Sequence, residues 1–108
     1  MEPGAIPDRG EAAAHLRLYI ARSTPNSIRA EQNLTLALDG LGDELLAPAL
    51  EIVDVFTKPK RAIVDGVVVT PTLLGFAAGK RFVLMGDLAD QALLRRTLQD
   101  LLEPRRAT

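Results

Sequence analysis

Val67-Val68-Val69-Thr70-Pro71-Thr72-Leu73-Leu74-Gly75-Phe76 is the stretch on which the fold turns. One apolar run leads into a Thr-Pro-Thr step and a second leads out of it. Proline has no N–H to donate and its ring fixes φ, so it does not sit inside a central strand. Pro71 therefore marks the start of a strand. An X-Pro bond is also the kind at which a cis peptide costs little. Ala77-Ala78-Gly79-Lys80 supplies a turn and Arg81-Phe82-Val83-Leu84-Met85 a second strand, which together predict a β-hairpin. Gly86-Asp87 then opens a helical pattern with Leu88, Ala92, Leu94, Leu98, Leu101 and Leu102 at its apolar positions. Asp87 is the expected cap, and Asp90 puts a second acid near the positive end of the helix dipole. No Gly or Pro interrupts the run from Asp87 to Glu103, and Pro104 ends it.

Upstream, Leu16-Arg17-Leu18-Tyr19-Ile20 reads as a short strand. Ser23-Thr24-Pro25-Asn26-Ser27 is a helix start, with a hydroxyl cap and a proline suited to the first turn. That helix is expected to run to about Asp39 and stop at Gly40 as C′ residue, with Ile28, Leu34, Leu38 and Leu41 as its apolar stripe. Gly42-Asp43-Glu44 is a loop, and Leu45-Leu46-Ala47-Pro48 leads out of it. Leu50-Glu51-Ile52-Val53-Asp54-Val55-Phe56 is the second strand, parallel to the first because a helix connects them. A short helix follows from Thr57-Lys58-Pro59-Lys60-Arg61-Ala62, with Thr57 as cap and Gly66 as its end. The predicted order is β-α-β-α-β-β-α, an α/β fold with a mixed four-stranded sheet. One domain is expected over residues 15–103, between a disordered tail at 1–14 and a C-terminal tail at 104–108.

The chain has 108 residues, enough to bury a core in one domain. Its net charge of −1 offers no whole-chain attraction for nucleic acid or an anionic membrane. There is no cysteine, which removes disulfides, thiol redox chemistry and thiolate metal sites together. No apolar run reaches the ~18 residues of a membrane span, and the N-terminus lacks a basic-then-apolar signal pattern. The expectation is a cytoplasmic protein without membrane or nucleic-acid partners.

Catalytic constellations are also missing. His15 is the lone histidine and has no paired carboxylate or cysteine nearby in sequence. Ser27 as a nucleophile needs a His/Asp pair. Asp87 and Asp90 suggest a metal less well than they suggest a helix start. No phosphate loop, dinucleotide fingerprint or His-based metal spacing occurs. Neither a catalytic group nor a cofactor is expected. Lys58, Lys60 and Arg61 form a small basic cluster, read as a solvated face or as a contact for an acidic partner.

The hairpin behind Thr70-Pro71-Thr72 and the closing helix resemble the C-terminal half of a thioredoxin-like domain, whose proline at this step is typically cis. Where a thioredoxin carries Cys-x-x-Cys, this chain has Thr24-Pro25-Asn26-Ser27, so a redox fold without redox chemistry leaves a binding surface. More specifically, the chain resembles the KaiB family of thioredoxin-like clock proteins over about residues 16–102. The resemblance rests on Leu16-Arg17-Leu18-Tyr19-Ile20-Ala21, Thr24-Pro25-Asn26-Ser27 with Arg29-Ala30, and Ile52-Val53-Asp54-Val55. It extends to Pro59 with Ala62, to Thr70-Pro71-Thr72-Leu73, and to Gly86-Asp87-Leu88 with Asp90.

The resemblance implies a non-enzymatic protein that binds the N-terminal ring of the ATPase KaiC and helps time its phosphorylation. It also implies KaiA or a histidine kinase as further partners where present, and a dimer or tetramer. Some members are metamorphic, resting as a tetramer with a different C-terminal half. This chain departs from the clock members in four places. An ordinary turn, Phe76-Ala77-Ala78-Gly79-Lys80, replaces their proline run. Lys58 replaces the Asn before Pro59, Arg22 replaces a Gly, and Thr97 stands where a helix Gly is common. These changes favour the thioredoxin-like state. On this reading the partner surface includes Arg29, Asp54, Lys58, Lys60 and Arg61. Thr24, Pro25, Asn26, Ser27, Thr70, Pro71, Thr72, Gly86 and Asp87 are structural signatures. The alternative is a stand-alone adaptor or sensor module related to the KaiB-like domain of a histidine kinase.

Overall fold

The structure is a computed structural model, and it describes residues 14–42, 45 and 47–103. Seven elements follow in order: β1 (Ala14–Ile20), α1 (Pro25–Asp39), β2 (Ala49–Asp54), α2 (Pro59–Val64), β3 (Thr72–Ala77), β4 (Lys80–Met85) and α3 (Gln91–Leu102). The strands form one sheet in the order β2-β1-β3-β4. β1 and β2 are parallel, with Leu18 opposite Ile52, while β3 runs antiparallel to both β1 and β4. The expected β-α-β-α-β-β-α order and mixed four-stranded sheet are thus observed. Ala14, expected in the tail, opens β1 and is buried; the rest of both expected tails, and the loop positions 43, 44 and 46, lie outside the described residues.

Strand alternation divides the core in two. Leu16, Leu18 and Ile20 of β1 and Leu73 of β3 face α1 and α3, where they meet Ala30, Leu34, Ala37, Leu94, Leu98 and Leu101. Tyr19, Val53 and Leu74 point the other way and pack on Ala62 of α2. Two helices therefore cover one face, and a single short helix covers part of the other.

Several element ends differ from the sequence reading. β2 stops at Asp54, two residues early, because the Asp54 carboxylate accepts from Phe56 N at 3.0 Å and its carbonyl accepts from Thr57 N and Lys58 N. Thr57 does not cap α2; its hydroxyl donates back to the Asp54 carbonyl at 3.2 Å, and Lys58 takes the cap position. Gly66 does end α2: with φ 74 it sits past the last turn, and Gly66 N and Val67 N donate to Ile63 and Ala62 carbonyls. In α1 the buried face is Ser27, Ala30, Leu34 and Ala37, and Ile28 is exposed. Gly40 closes α1 in the right-handed region, as the cap residue rather than the residue after it. α3 is capped by Asp90, whose carboxylate accepts from Leu93 N at 3.0 Å. Asp87 instead accepts from Ala89 N, in the turn where Leu88, at φ 61, is buried in the core. Ala92, counted as an apolar position, is exposed on α3.

Candidate interaction surface

The signature residues gather at one end of the sheet. The Thr70-Pro71 bond is cis. The Pro71 carbonyl accepts from Gly86 N at 2.9 Å, and Thr72, buried, donates its hydroxyl to the Val69 carbonyl at 2.7 Å. Ser27 is buried at the start of α1 and accepts from Ala21 N at 3.0 Å. Thr24 occupies the cap position, but its hydroxyl donates backward to the Ala21 carbonyl at 2.8 Å rather than capping the helix. Asn26 accepts from Arg29, and Arg29 also reaches Asp87 at 3.4 Å. Asn33 donates to the Asp87 carbonyl at 2.8 Å. Each of these polar groups works on the chain's own backbone or a neighbour. Ser27 has no base beside it, and His15 lies far along β1 with its ring stacked on Phe76. Among the described residues, no three of His, Cys, Asp and Glu are grouped to hold a metal ion, and no helix is long and apolar enough to cross a membrane.

The five residues read as a partner surface divide into two places. Arg29 stands on α1, bound to Asp87 beyond β4. Asp54, Lys58, Lys60 and Arg61 lie at the other edge, around the path from β2 into α2. Asp54 presents little: its side chain is 9% exposed, salt-bridged to Arg22 and bonded to the turn. Arg61 is committed to Glu51, with Nη2 at 2.7 Å from Oε1 and Nη1 on Oε2. Lys58 and Lys60 are exposed and have no ion-pair partner among the described residues.

Around those lysines lies a surface that the charge pattern did not reveal. Phe56, Ile63, Val64 and Val68 are each more than two-thirds exposed. Lys60, Ile63 and Val64 are spaced to share one face of α2, while Ala62 alone is buried beneath it. Scattered apolar side chains need no explanation, but four large ones exposed on and beside one short helix, near two lysines with no ion-pair partner among the described residues, make this face the candidate interaction surface. The signal in the sequence was length: the segment between Pro59 and Gly66 holds barely two helical turns, too little to bury the β-branched residues on it.

Beneath α2 runs a polar network that spans β1, β2 and the end of the helix. Tyr19 Oη donates to Asp65 Oδ2 at 2.6 Å and lies 3.0 Å from the Arg61 carbonyl. Arg17 joins Asp65 at 2.7 Å and Glu51 at 3.2 Å, and its guanidinium lies 5.2 Å from the centre of the Phe76 ring. The hydrogen bonds from Arg61, helped by Arg17, hold the Glu51 carboxyl down at about 2. Those from Tyr19 and Arg17 hold Asp65 below its ordinary range. Burial, then the bond to Asp65, pushes the Tyr19 phenol up. Alternation along β1 puts Arg17 and Tyr19 on one face; their partners were not legible, because Glu51 and Asp65 are 34 and 48 residues from Arg17.

A family model described as the KaiB domain matches residues 17–100. The circadian clock oscillator protein KaiB of Rippkaea orientalis is 38% identical over 77 residues, which cover 70% of this chain and 71% of that one. Its counterpart from a Synechococcus species is 37% identical over 76 residues, 70% and 67% of the two chains. Among solved structures, the N-terminal domain of Synechococcus elongatus SasA superposes with a TM-score of 0.70 at 21% identity, covering 99% of this chain and 100% of that one. A mutant thioredoxin from Halobacterium salinarum gives 0.71, also at 21% identity, covering 89% and 80%. The two structural likenesses establish a thioredoxin-like fold.

Proposed function

This chain belongs to the KaiB family, and from that premise we propose that it is a non-enzymatic, cytoplasmic regulator that docks on a KaiC-type ATPase and modulates its phosphorylation or ATPase cycle. The observation that carries the reading is the exposed face of α2 and its flanking turns, with Phe56, Ile63, Val64 and Val68 exposed and Lys58 and Lys60 without an ion-pair partner among the described residues. The hydroxyls at the thioredoxin active-site position support it from the other side: Thr24 and Ser27 are spent on the backbone around Ala21. Binding is therefore the work this surface suits. Arg29 lies on the opposite layer and is a second, separate contact in this reading; Asp54 and Arg61 shape the surface more than they present themselves to a partner.

The test is size-exclusion chromatography or interferometry with the KaiC-type ATPases of the same organism, with and without ATP. Wild-type chain is expected to form a complex. Ile63→Asp and Lys60→Glu, both at exposed positions, are expected to weaken it at least about tenfold with thermal stability within ~0.5 kcal/mol of wild type. Failure to bind any such ATPase overturns the proposal and moves the stand-alone adaptor reading to the front.

A further inference from the structure

α2 is six residues long and buries one side chain, Ala62. The Ala62 methyl against Tyr19, Val53 and Leu74, with Val67 of the closing turn partly buried on the same cluster, does not by itself fix where such a helix sits. Polar contacts do. Arg61 grips Glu51 of β2 through both terminal nitrogens. Just past the last turn, Asp65 Oδ2 accepts from Tyr19 Oη and from Arg17 Nη1, both on β1. The tyrosine has one proton and two acceptors in reach, so the shorter bond to the carboxylate is the one it serves.

The charged groups facing Asp65 are Arg17 from β1 and Arg61 from α2, with Glu51 from β2 joining the two arginines. β3 contributes the rings and aliphatics of Phe76 and Leu74, and His15 stacks on the Phe76 ring. The larger core, from Leu16 and Leu18 through Leu34, Leu73, Leu94 and Leu98, lies on the other face of the sheet and includes no residue of α2.

We propose that Asp65 is the clasp of a detachable docking element: α2 and its closing turn, residues 59–67, open from the sheet as a unit when the Tyr19–Asp65–Arg17 contact is broken, while the sheet stays folded. Elements with few buried contacts open at lower free energy than the core they rest on. The clasp sets the position of the outward face bearing Lys60, Ile63 and Val64. That this face docks on a partner rests on the reading proposed above; that it opens does not.

The experiment is native-state amide hydrogen exchange on the full chain. The amides to follow are Asp65, Gly66 and Val67, which bond to the carbonyls of Arg61, Ile63 and Ala62. In Tyr19→Phe, which keeps the buried ring and removes only the hydroxyl, these three are expected to exchange about tenfold faster. Amides in the β1–β3 ladder are expected to keep their wild-type rates. Asp65→Asn, which weakens the bonds from both Tyr19 and Arg17, should accelerate the same three amides at least as much, and adding Tyr19→Phe to it should add less than Tyr19→Phe does alone, since the two changes share the Tyr19–Asp65 contact. Equal acceleration of turn and ladder amides would overturn the proposal, because α2 would then open only with the whole domain. Unchanged turn amides would overturn it too. Should Tyr19→Phe not fold, Asp65→Asn carries the same comparison. The readout needs no partner, so its failure leaves the ATPase reading standing, and the reverse holds.

Discussion

Gly75 is a residue whose role lies in what it lacks. A Cβ built there would sit 2.2 Å from Cε2 of Phe82, its cross-strand partner. Phe82 is partly buried against the α1/α3 core, so admitting the methyl requires its ring to shift from that packing. Gly75→Ala is expected to destabilise the domain by about 1–3 kcal/mol, the usual cost of overpacking, read as a lower urea midpoint with an unchanged slope. Ser27 shows the complementary case, a buried polar group that is needed. Its hydroxyl oxygen takes the Ala21 N–H where β1 leaves the sheet. Ser27→Ala leaves that donor without a partner and is expected to cost about 1–3 kcal/mol; a loss near zero would mean water reaches Ala21. The sequence places Ser27 in the first turn of a helix, behind a Ser or Thr cap and Pro25. The structure turns the side chain inward, because the positions buried along α1 are 27, 30, 34 and 37.

At the scale of elements, the tie between α2 and β2 gives stability a pH dependence of known sign. Glu51 is held at about 2 in the folded chain, below the ~4.3 of an unfolded glutamate. Its contribution is therefore fully present above about pH 4.3 and is lost as pH falls through about 2. Asp65, also lowered, acts in the same direction. Because Glu51 is nearly half exposed, solvent screening keeps the contribution of its pair with Arg61 small. Urea midpoints measured from pH 7 to pH 2 are expected to fall only in the acid limb, and Glu51→Gln is expected to flatten that limb. A flat wild-type profile would count against the ion pair. The same element shows what was legible in the sequence. Gly66 marks the end of α2 in sequence and structure alike, since a positive φ there favours glycine, whereas the sequence pattern puts the start at a Thr57 cap and it lies at Pro59 behind Lys58. Its exposed apolar face and its network were not legible, since exposure and cross-element pairing depend on which strands lie beneath.

For the whole molecule, the question is how firmly the C-terminal half holds its thioredoxin-like arrangement. Resemblance to metamorphic relatives raises the alternative of a tetramer with residues 73–102 folded otherwise, and the sequence argues against it here. α3 runs unbroken from Gln91 to Leu102, is capped by Asp90, and buries Leu94, Leu98 and Leu101 in the core shared with α1 and β1. Lys80 closes its other end by donating to the carbonyls of Asp100 and Glu103. Thr97, where the resemblance implies a glycine, sits within the helix and donates its hydroxyl to the Leu93 carbonyl at 2.7 Å. Glycine there would weaken the helix by several tenths of a kcal/mol, since threonine is itself a modest helix former. These local choices along α3 agree with one fold, and such agreement is what separates a single native state from two near-degenerate ones. Under the proposed function, the wild-type chain is expected to bind a KaiC-type ATPase in one fast phase, without a component lasting hours, and the free chain to give one set of amide resonances. Thr97→Gly is expected to lower the melting temperature by a few degrees without adding a slow phase. A slow, concentration-independent phase in the wild type would show that a second arrangement is populated, and would place the switch in the segment that α3 closes.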